Sequence, residues 1–151
     1  MSKINIRHAA AKDSFFVTAA TITTGWLAGQ LFKLNPTGDY TLLAANNEQA
    51  VFVAIDGPTE LSAPPTGSLV TGMYGAGTRF VIDHTPEVAA SSASRAYESD
   101  VESASTNAYL YGSLNGKWTT TNPTSGSILG QLLQVPGADN NYSLEIKLLG
   151  L

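Results

Sequence analysis

Cysteine is absent from this chain of 151 residues, and charged residues are scarce. Without thiols the chain cannot form disulfides, thiolate metal sites or cysteine nucleophiles, and this fits a protein made in a reducing cytoplasm. Charged residues make up 13% of the chain, about half of the roughly 25% that is usual in globular domains. A partner can therefore cover much of the surface without removing many charges from water.

Two further absences narrow the functional class. The formal net charge is −4, and the eight Lys and Arg residues are scattered along the chain, which disfavours nucleic acid as the partner. No apolar run of about 18 residues is present, so we expect no membrane span. The basic residues near the start are not followed by a long apolar run, so we also expect no secretory signal.

Residue patterns typical of metal or cofactor sites are missing. The two histidines, His8 and His84, are far apart, and no metal-ligand spacing, phosphate-binding glycine loop or nucleophile elbow occurs. Asp83 and His84 would lie on opposite faces of a strand. We therefore interpret His84 as a strand-end residue in solvent or at an interface, and we predict no metal and no cofactor.

Three acidic residues are the best catalytic candidates. Glu98, Asp100 and Glu102 alternate along a Ser-rich segment and would place their carboxylates on one side if that segment were extended. Paired carboxylates can cleave glycosidic bonds across a cleft. A solvated acidic edge is the simpler interpretation, so we predict that the chain is not an enzyme and has no catalytic residues.

Side chains that alternate in character with a period of two residues predict strands, and the Gly, Pro and Asn residues that interrupt them predict turns. The predicted strands cover residues 26–34, 51–55, 68–73, 78–84, 109–114, 117–121, 128–135 and 142–148. Short connections predict hairpins within 68–84 and 109–121 and a pair formed by the last two strands. Asn115-Gly116 favours a tight turn with positive φ at both residues, and 51–55 reads as a strand buried on both faces.

These patterns predict a mainly β protein with a single domain. We expect an antiparallel β-barrel or β-sandwich of about eight strands, with an N-terminal arm at 1–20 and the β domain at 21–151. Residues 85–108 are rich in Ser and Ala and predict a long loop with one short helix.

The large aromatic residues are expected in the core. Their strand positions make a sugar-stacking platform only the second interpretation. The residues concerned are Trp26, Phe32, Phe52, Phe80 and Trp118.

A little over half of the chain resembles the capsid decoration, or cement, proteins of tailed bacteriophages. The likeness lies in the order of glycine-rich strands and turns, ending in a strand with a central glycine, a turn and a terminal strand. It is carried by Gly25–Gly29, Leu34–Tyr40, Val51–Gly57, Pro65–Gly72, Gly77–Phe80, Gly126–Gly130, Pro136 and Leu144–Leu148.

This resemblance implies a structural protein that binds the outside of an expanded capsid, commonly at local threefold sites, and reinforces it. The implied partner is the major capsid protein. A homo-oligomer, with a trimer favoured, is implied on the capsid exterior, after synthesis in the host cytoplasm. Nucleic acid and membrane are not expected as partners.

The N-terminal segment is the predicted contact with the capsid. Residues 1–15 hold three of the eight basic residues. They show no regular series of apolar residues that would face a core, so we expect a docking arm that becomes ordered on the neighbouring capsid protein. Deleting this arm is expected to abolish capsid binding and to leave the thermal melt nearly unchanged. The predicted contact residues are Lys3, Ile4, Ile6, Arg7 and Lys12.

Alternative functions stay open at this point. Another virion part, such as a tail or fibre subunit, would be distinguished by its location on the particle or by an elongated repeat, which this sequence lacks. A carbohydrate-binding β-sandwich would need an exposed Trp26 or Trp118. An enzyme would use the acidic segment around Asp100.

Overall fold

The computed structural model describes residues 2–57, 69–84, 95–123, 126–136 and 142–151. Its strands, in chain order, are β1 (Ser2–His8), β2 (Ala11–Phe16), β3 (Leu31–Leu34), β4 (Tyr40–Leu42), β5 (Phe52–Ala54), β6 (Leu69–Tyr74), β7 (Arg79–His84), β8 (Tyr109–Gly112), β9 (Trp118–Thr119), β10 (Gly130–Gln134) and β11 (Leu144–Leu148). One α-helix, α1 (Ala19–Thr24), one 3₁₀ turn, Ser99–Val101, and a turn at Leu114–Gly116 with positive φ at its last two residues complete the described elements.

The strands form two antiparallel sheets, which confirms the mainly β prediction. Sheet A has six strands in the order β1-β7-β11-β10-β8-β9, and sheet B has five in the order β2-β6-β5-β3-β4. Eleven strands thus occur in the described part of the chain, more than the roughly eight predicted. None of the described helices is long and apolar enough to cross a membrane.

One hydrophobic cluster is shared by the two sheets, and we call it the inter-sheet cluster. In strands such as β7 and β11, alternate residues point toward it, because successive side chains of a strand lie on opposite faces. It consists of Leu31, Leu43, Ala50, Val53, Met73, Phe80, Ile82, Ala96, Tyr97, Val101, Leu110, Trp118, Leu129, Leu132, Leu144, Ile146 and Leu148.

A second cluster covers the other face of sheet B, and we call it the outer cluster. It consists of Val17, Ile22, Trp26, Phe32, Phe52, Ala54 and Val70. Phe52 stacks between Phe15 and Phe32, with ring centroids 4.0 and 4.9 Å away. Strand β5 contributes to both clusters, which confirms the prediction of a strand buried on both faces.

The sequence patterns did not predict helix α1. The Thr18 hydroxyl accepts a hydrogen bond from the Thr21 backbone N–H at 3.1 Å and so caps the first turn. Gly25 ends the helix with φ 76°, a conformation that glycine adopts at low cost. Ile22 packs into the outer cluster, so this one-and-a-half-turn helix is stabilised by packing rather than by its length.

Two of the three predicted strand pairs are confirmed. Strands β8 and β9 pair across a turn in which Asn115 and Gly116 have φ of 62° and 71°, as the Asn-Gly pattern predicted. Strands β10 and β11 also pair. Residues 137–141 of their connection lie outside the described residues.

The predicted hairpin within 68–84 is wrong. Strand β6 pairs with β2 and β5 in sheet B, whereas β7 pairs with β1 and β11 in sheet A. The glycine-rich connection therefore passes from one sheet to the other. Buried Thr78 holds this crossing, because its hydroxyl donates to the Tyr74 carbonyl at 3.1 Å and accepts from the Ala10 N–H at 3.0 Å.

Residues 2–16 are extended, and both of their strands are paired. Strand β1 lies beside β7 in sheet A, and β2 lies beside β6 in sheet B. Deleting residues 1–15 would remove one strand from each sheet, so we now expect the deletion to lower the melting temperature. The boundary at residue 20 stays a prediction.

The Ser/Ala-rich segment is described only from residue 95 onward. Residues 95–108 contain the 3₁₀ turn Ser99–Val101 and a single parallel bridge between Tyr97 and Trp118. Tyr97 and Val101 are buried in the inter-sheet cluster and hold this part of the segment on the core. The predicted loop at 85–94 lies outside the described residues.

Gly116 supplies a sharp test of how the β8–β9 turn meets sheet B. A Cβ atom at Gly116 would lie 2.4 Å from the Leu31 carbonyl oxygen. Gly38 also has a positive φ, of 90°, but no atom would lie within 4 Å of its Cβ. The two positions share the backbone strain of a left-handed residue and differ in crowding.

We predict that Gly116→Ala lowers the free energy of unfolding by about 1–3 kcal/mol more than Gly38→Ala, because the added methyl group displaces sheet B. Urea denaturation of the two variants measures this difference. Equal losses would show that the turn does not touch Leu31 as the structure has it.

Candidate functional site

The open edges of the two sheets lie in the N-terminal strands. At the other end of sheet A, the backbone of residues 96–98 pairs with Trp118 and covers β9. At the other end of sheet B, Val17 bridges to Tyr40 and the Thr18 N–H donates to the Tyr40 carbonyl at 2.9 Å. Within the described part of the chain, nothing pairs with the outer sides of β1 and β2.

The five predicted contact residues divide into two groups along these edges. Lys3, Arg7 and Lys12 are exposed and form no ion pair with any described residue. Ile4 and Ile6 are half-buried and pack against the inter-sheet cluster. The basic side chains are therefore available to a partner, whereas the two isoleucines contribute to folding.

The open edge of β1 is also protected against pairing with copies of itself. The β1–β7 register shifts between Ile6 and His8, which marks a bulge. Bulges and lysines on edge strands are usual devices against edge-to-edge aggregation. An antiparallel pair of β1 strands centred on Asn5 would place Lys3 opposite Arg7, and like charges in that position repel.

A polar pocket of about 300 Å³ lies near the covered edge of sheet A. Its lining consists only of side chains that carry oxygen atoms. These residues are Asn46, Glu98, Ser99, Asp100, Ser113, Thr119 and Thr121.

The carboxylate of Asp100 holds the chain segment that follows β9. Its Oδ2 atom accepts hydrogen bonds from the hydroxyl groups of Thr119 at 2.6 Å and Thr121 at 2.8 Å. Burial raises the pKa of Asp100, but these hydrogen bonds outweigh burial and hold that pKa below its usual value. Asp100 is thus an ionised structural acceptor rather than a proton donor.

The three acidic candidates do not form one constellation. Glu98 accepts a hydrogen bond from the Ser113 hydroxyl at 3.2 Å and lines the pocket with Asp100. Glu102 instead pairs with Arg95, and its side chain does not line the pocket. No group of three or more His, Asp or Glu side chains is placed to hold a metal ion in the described ranges.

His84 is buried, and the prediction that it faces solvent or a partner is wrong. It exposes 3% of its surface. Its Nε2 accepts from the Ala96 N–H at 3.3 Å, and its Nδ1 lies 3.2 Å from the Tyr142 carbonyl oxygen. A carbonyl can only accept, so the ring is neutral and carries its proton on Nδ1.

The environment of His84 opposes its protonation. Burial lowers its pKa from 6.5 to about 4, and the positive charge of Arg95 acts in the same direction. The Tyr142 carbonyl and the Asp83 carboxylate favour the protonated form but do not offset burial. His84 therefore joins the end of β7 to residues 96 and 142 as a neutral ring.

The aromatic candidates for sugar stacking are in the core, as predicted. Trp26 and Trp118 expose 7% and 0% of their surface. The Trp26 indole N–H donates to the Asp56 carbonyl at 2.7 Å, and that of Trp118 donates to the Gly29 carbonyl at 2.8 Å. Neither ring is available as a platform for a sugar.

No protein-family model matches this chain, and no curated protein is significantly similar to it.

The roles of Asp100 and Glu102 can be separated by matched substitutions. Asp100→Ala is expected to lower the free energy of unfolding by about 1–3 kcal/mol, because two threonine hydroxyl groups lose their acceptor. Glu102→Ala breaks the ion pair with Arg95, in which the Glu102 side chain is 35% exposed, and is expected to cost less than Asp100→Ala because water can reach this site. Chemical denaturation measures both values, and a larger loss for Glu102→Ala would contradict this account.

His84 is expected to make the fold sensitive to acid. Above pH 6.5 the ring is neutral in both states and has no effect. Between pH 6.5 and 4 the unfolded chain binds a proton that the folded chain excludes, so stability falls by about 3 kcal/mol through this residue.

Denaturation between pH 7 and 4 measures the size of this loss. His84→Gln should reduce the loss by more than the same substitution at exposed His8. An NMR titration that places the pKa of His84 near 6.5 would contradict the prediction.

Proposed function

We propose that this chain is a virion structural protein that binds the outer surface of a tailed-phage capsid and stabilises it. The observation that carries this proposal is the pair of open edges in β1 and β2, which present Lys3, Arg7 and Lys12 without ion pairs in the described structure. The resemblance in layout to capsid decoration proteins supports it independently.

The contacts of the acidic and aromatic residues in the described structure favour a binding role over a catalytic one. The pocket carboxylates accept hydrogen bonds from serine and threonine side chains that position neighbouring segments. The buried tryptophans offer no stacking surface to a carbohydrate. A surface poor in charge favours burial against another protein.

The partner in this proposal is the major capsid protein, and the bound form is a homo-oligomer with a trimer favoured. The protein would be made in the host cytoplasm and located on the capsid exterior. We further propose that the fold is a β-sandwich rather than a barrel. In support, no hydrogen-bonded strand pair joins sheet A to sheet B among the described strands, and one cluster fills the space between them.

Co-sedimentation with mature, undecorated heads of the source virus tests the proposed function. We expect saturable pelleting, at a ratio to capsid subunits that matches one class of symmetry site, and a higher melting temperature of the heads. A protein that is folded by circular dichroism but does not pellet with the heads would contradict the proposal.

A further inference from the structure

Residues that are far apart in the sequence form one row on the outer face of sheet A. His8 lies opposite Arg79, and Arg79 lies opposite Lys147 on the next strand. Directly opposite residues share a face of the sheet, and all three are exposed. Adjacent strands are about 4.8 Å apart, so these three positions span roughly 10 Å.

Arg7 extends this group, because it lies in the β1 bulge beside His8 and is also exposed. We call Arg7, His8, Arg79 and Lys147 the basic row. Glu145 lies 3.4 Å from Arg79 and is the one described carboxylate that pairs with the row. Arg7 and Lys147 form no ion pair with any described residue, so the row keeps a net positive charge.

The row has a cost for folding. Like charges directly opposite each other on adjacent strands destabilise a sheet, and Arg79 and Lys147 stand in this relation. Departures from such local rules concentrate at functional surfaces. The scattered basic residues of the sequence therefore become a concentrated feature only through the strand register.

We propose that the basic row is a docking surface for a carboxylate-rich protein surface. The inference deepens the proposed function and rests on it, since that function makes the capsid shell the partner. The net charge of the whole chain is −4, so the row has the opposite sign to the chain as a whole and attracts an acidic partner locally. Such complementarity orients a partner and raises the rate of association.

A protein surface fits the row better than nucleic acid does. Duplex DNA carries one charge per about 1.7 Å of its length, so it would extend far beyond a row of roughly 10 Å and leave most of its charges unmatched by the row. A local group of Asp and Glu side chains matches the size of the row. The row ends laterally at Gln131 and exposed Tyr109, neutral residues that suit the rim of a protein interface.

Charge reversal with a matched control tests the row on heads. The test variant is Lys147→Glu, and the control is Lys117→Glu. Both substitutions change the net charge by the same amount, but Lys117 lies near the opposite edge of sheet A. In co-sedimentation at low salt, Lys147→Glu is expected to weaken binding by about tenfold and Lys117→Glu by less than about twofold. Equal affinities, with unchanged thermal melts, would overturn the row as the docking surface and leave the proposed function intact.

An NMR titration tests the row without heads. Poly-L-glutamate at low salt should shift the backbone amide signals of residues 7, 8, 79 and 147 in the parent protein, and the shifts should disappear at high salt or in Lys147→Glu. No shift at these residues would overturn the inference whatever the heads show. Tighter binding of duplex DNA at the same residues would overturn the choice of a protein partner. If the amide signals of the row shift but the protein does not bind heads, the row stays a docking surface for acidic proteins and the capsid role is rejected.

Discussion

The burial of Trp118 between the two sheets is the interaction on which the rest of the structure depends. Its ring is fully buried, and its indole N–H donates to the carbonyl of Gly29, which lies just before β3 of sheet B. Its backbone pairs with residues 96 and 98. A buried indole N–H without an acceptor would cost much of the gain from burying the ring, so sheet A, sheet B and the end of the Ser/Ala-rich segment are fixed together at this residue.

This arrangement closes one side of the molecule and leaves the other open. Because the segment around Tyr97 covers β9 and the segment around Val17 covers β4, the backbone edges that stay open among the described strands are those of β1 and β2. The same closure forms the polar pocket, in which Glu98 and Asp100 anchor neighbouring segments. The proposed function rests on this asymmetry, since Lys3, Arg7 and Lys12 lie on the open side.

Local patterns predicted strands well where alternation was long, and they failed where pairing was decided by distant residues. The Asn115-Gly116 turn and the doubly buried β5 follow from residues within a few positions of each other. The predicted β6–β7 hairpin had an equally good local signal, yet its glycine-rich connection crosses between sheets because β1 and β2 pair with its two strands. Helix α1 could have been predicted from Thr18, a residue that often caps a helix start, and from Gly25, a residue that often ends one. It was missed because the surrounding residues were interpreted as an arm and a strand.

The sequence by itself determined the mainly β class, the aromatic core and the absence of thiol chemistry, because composition and alternation act within each strand. Only the tertiary structure decided that Arg7, Arg79 and Lys147 stand together, that Glu102 is separated from Asp100, and that His84 is buried and neutral. Each of these depends on which strands pair and in which register. A register is selected by burial summed over a whole sheet, and no single segment of the chain contains that information.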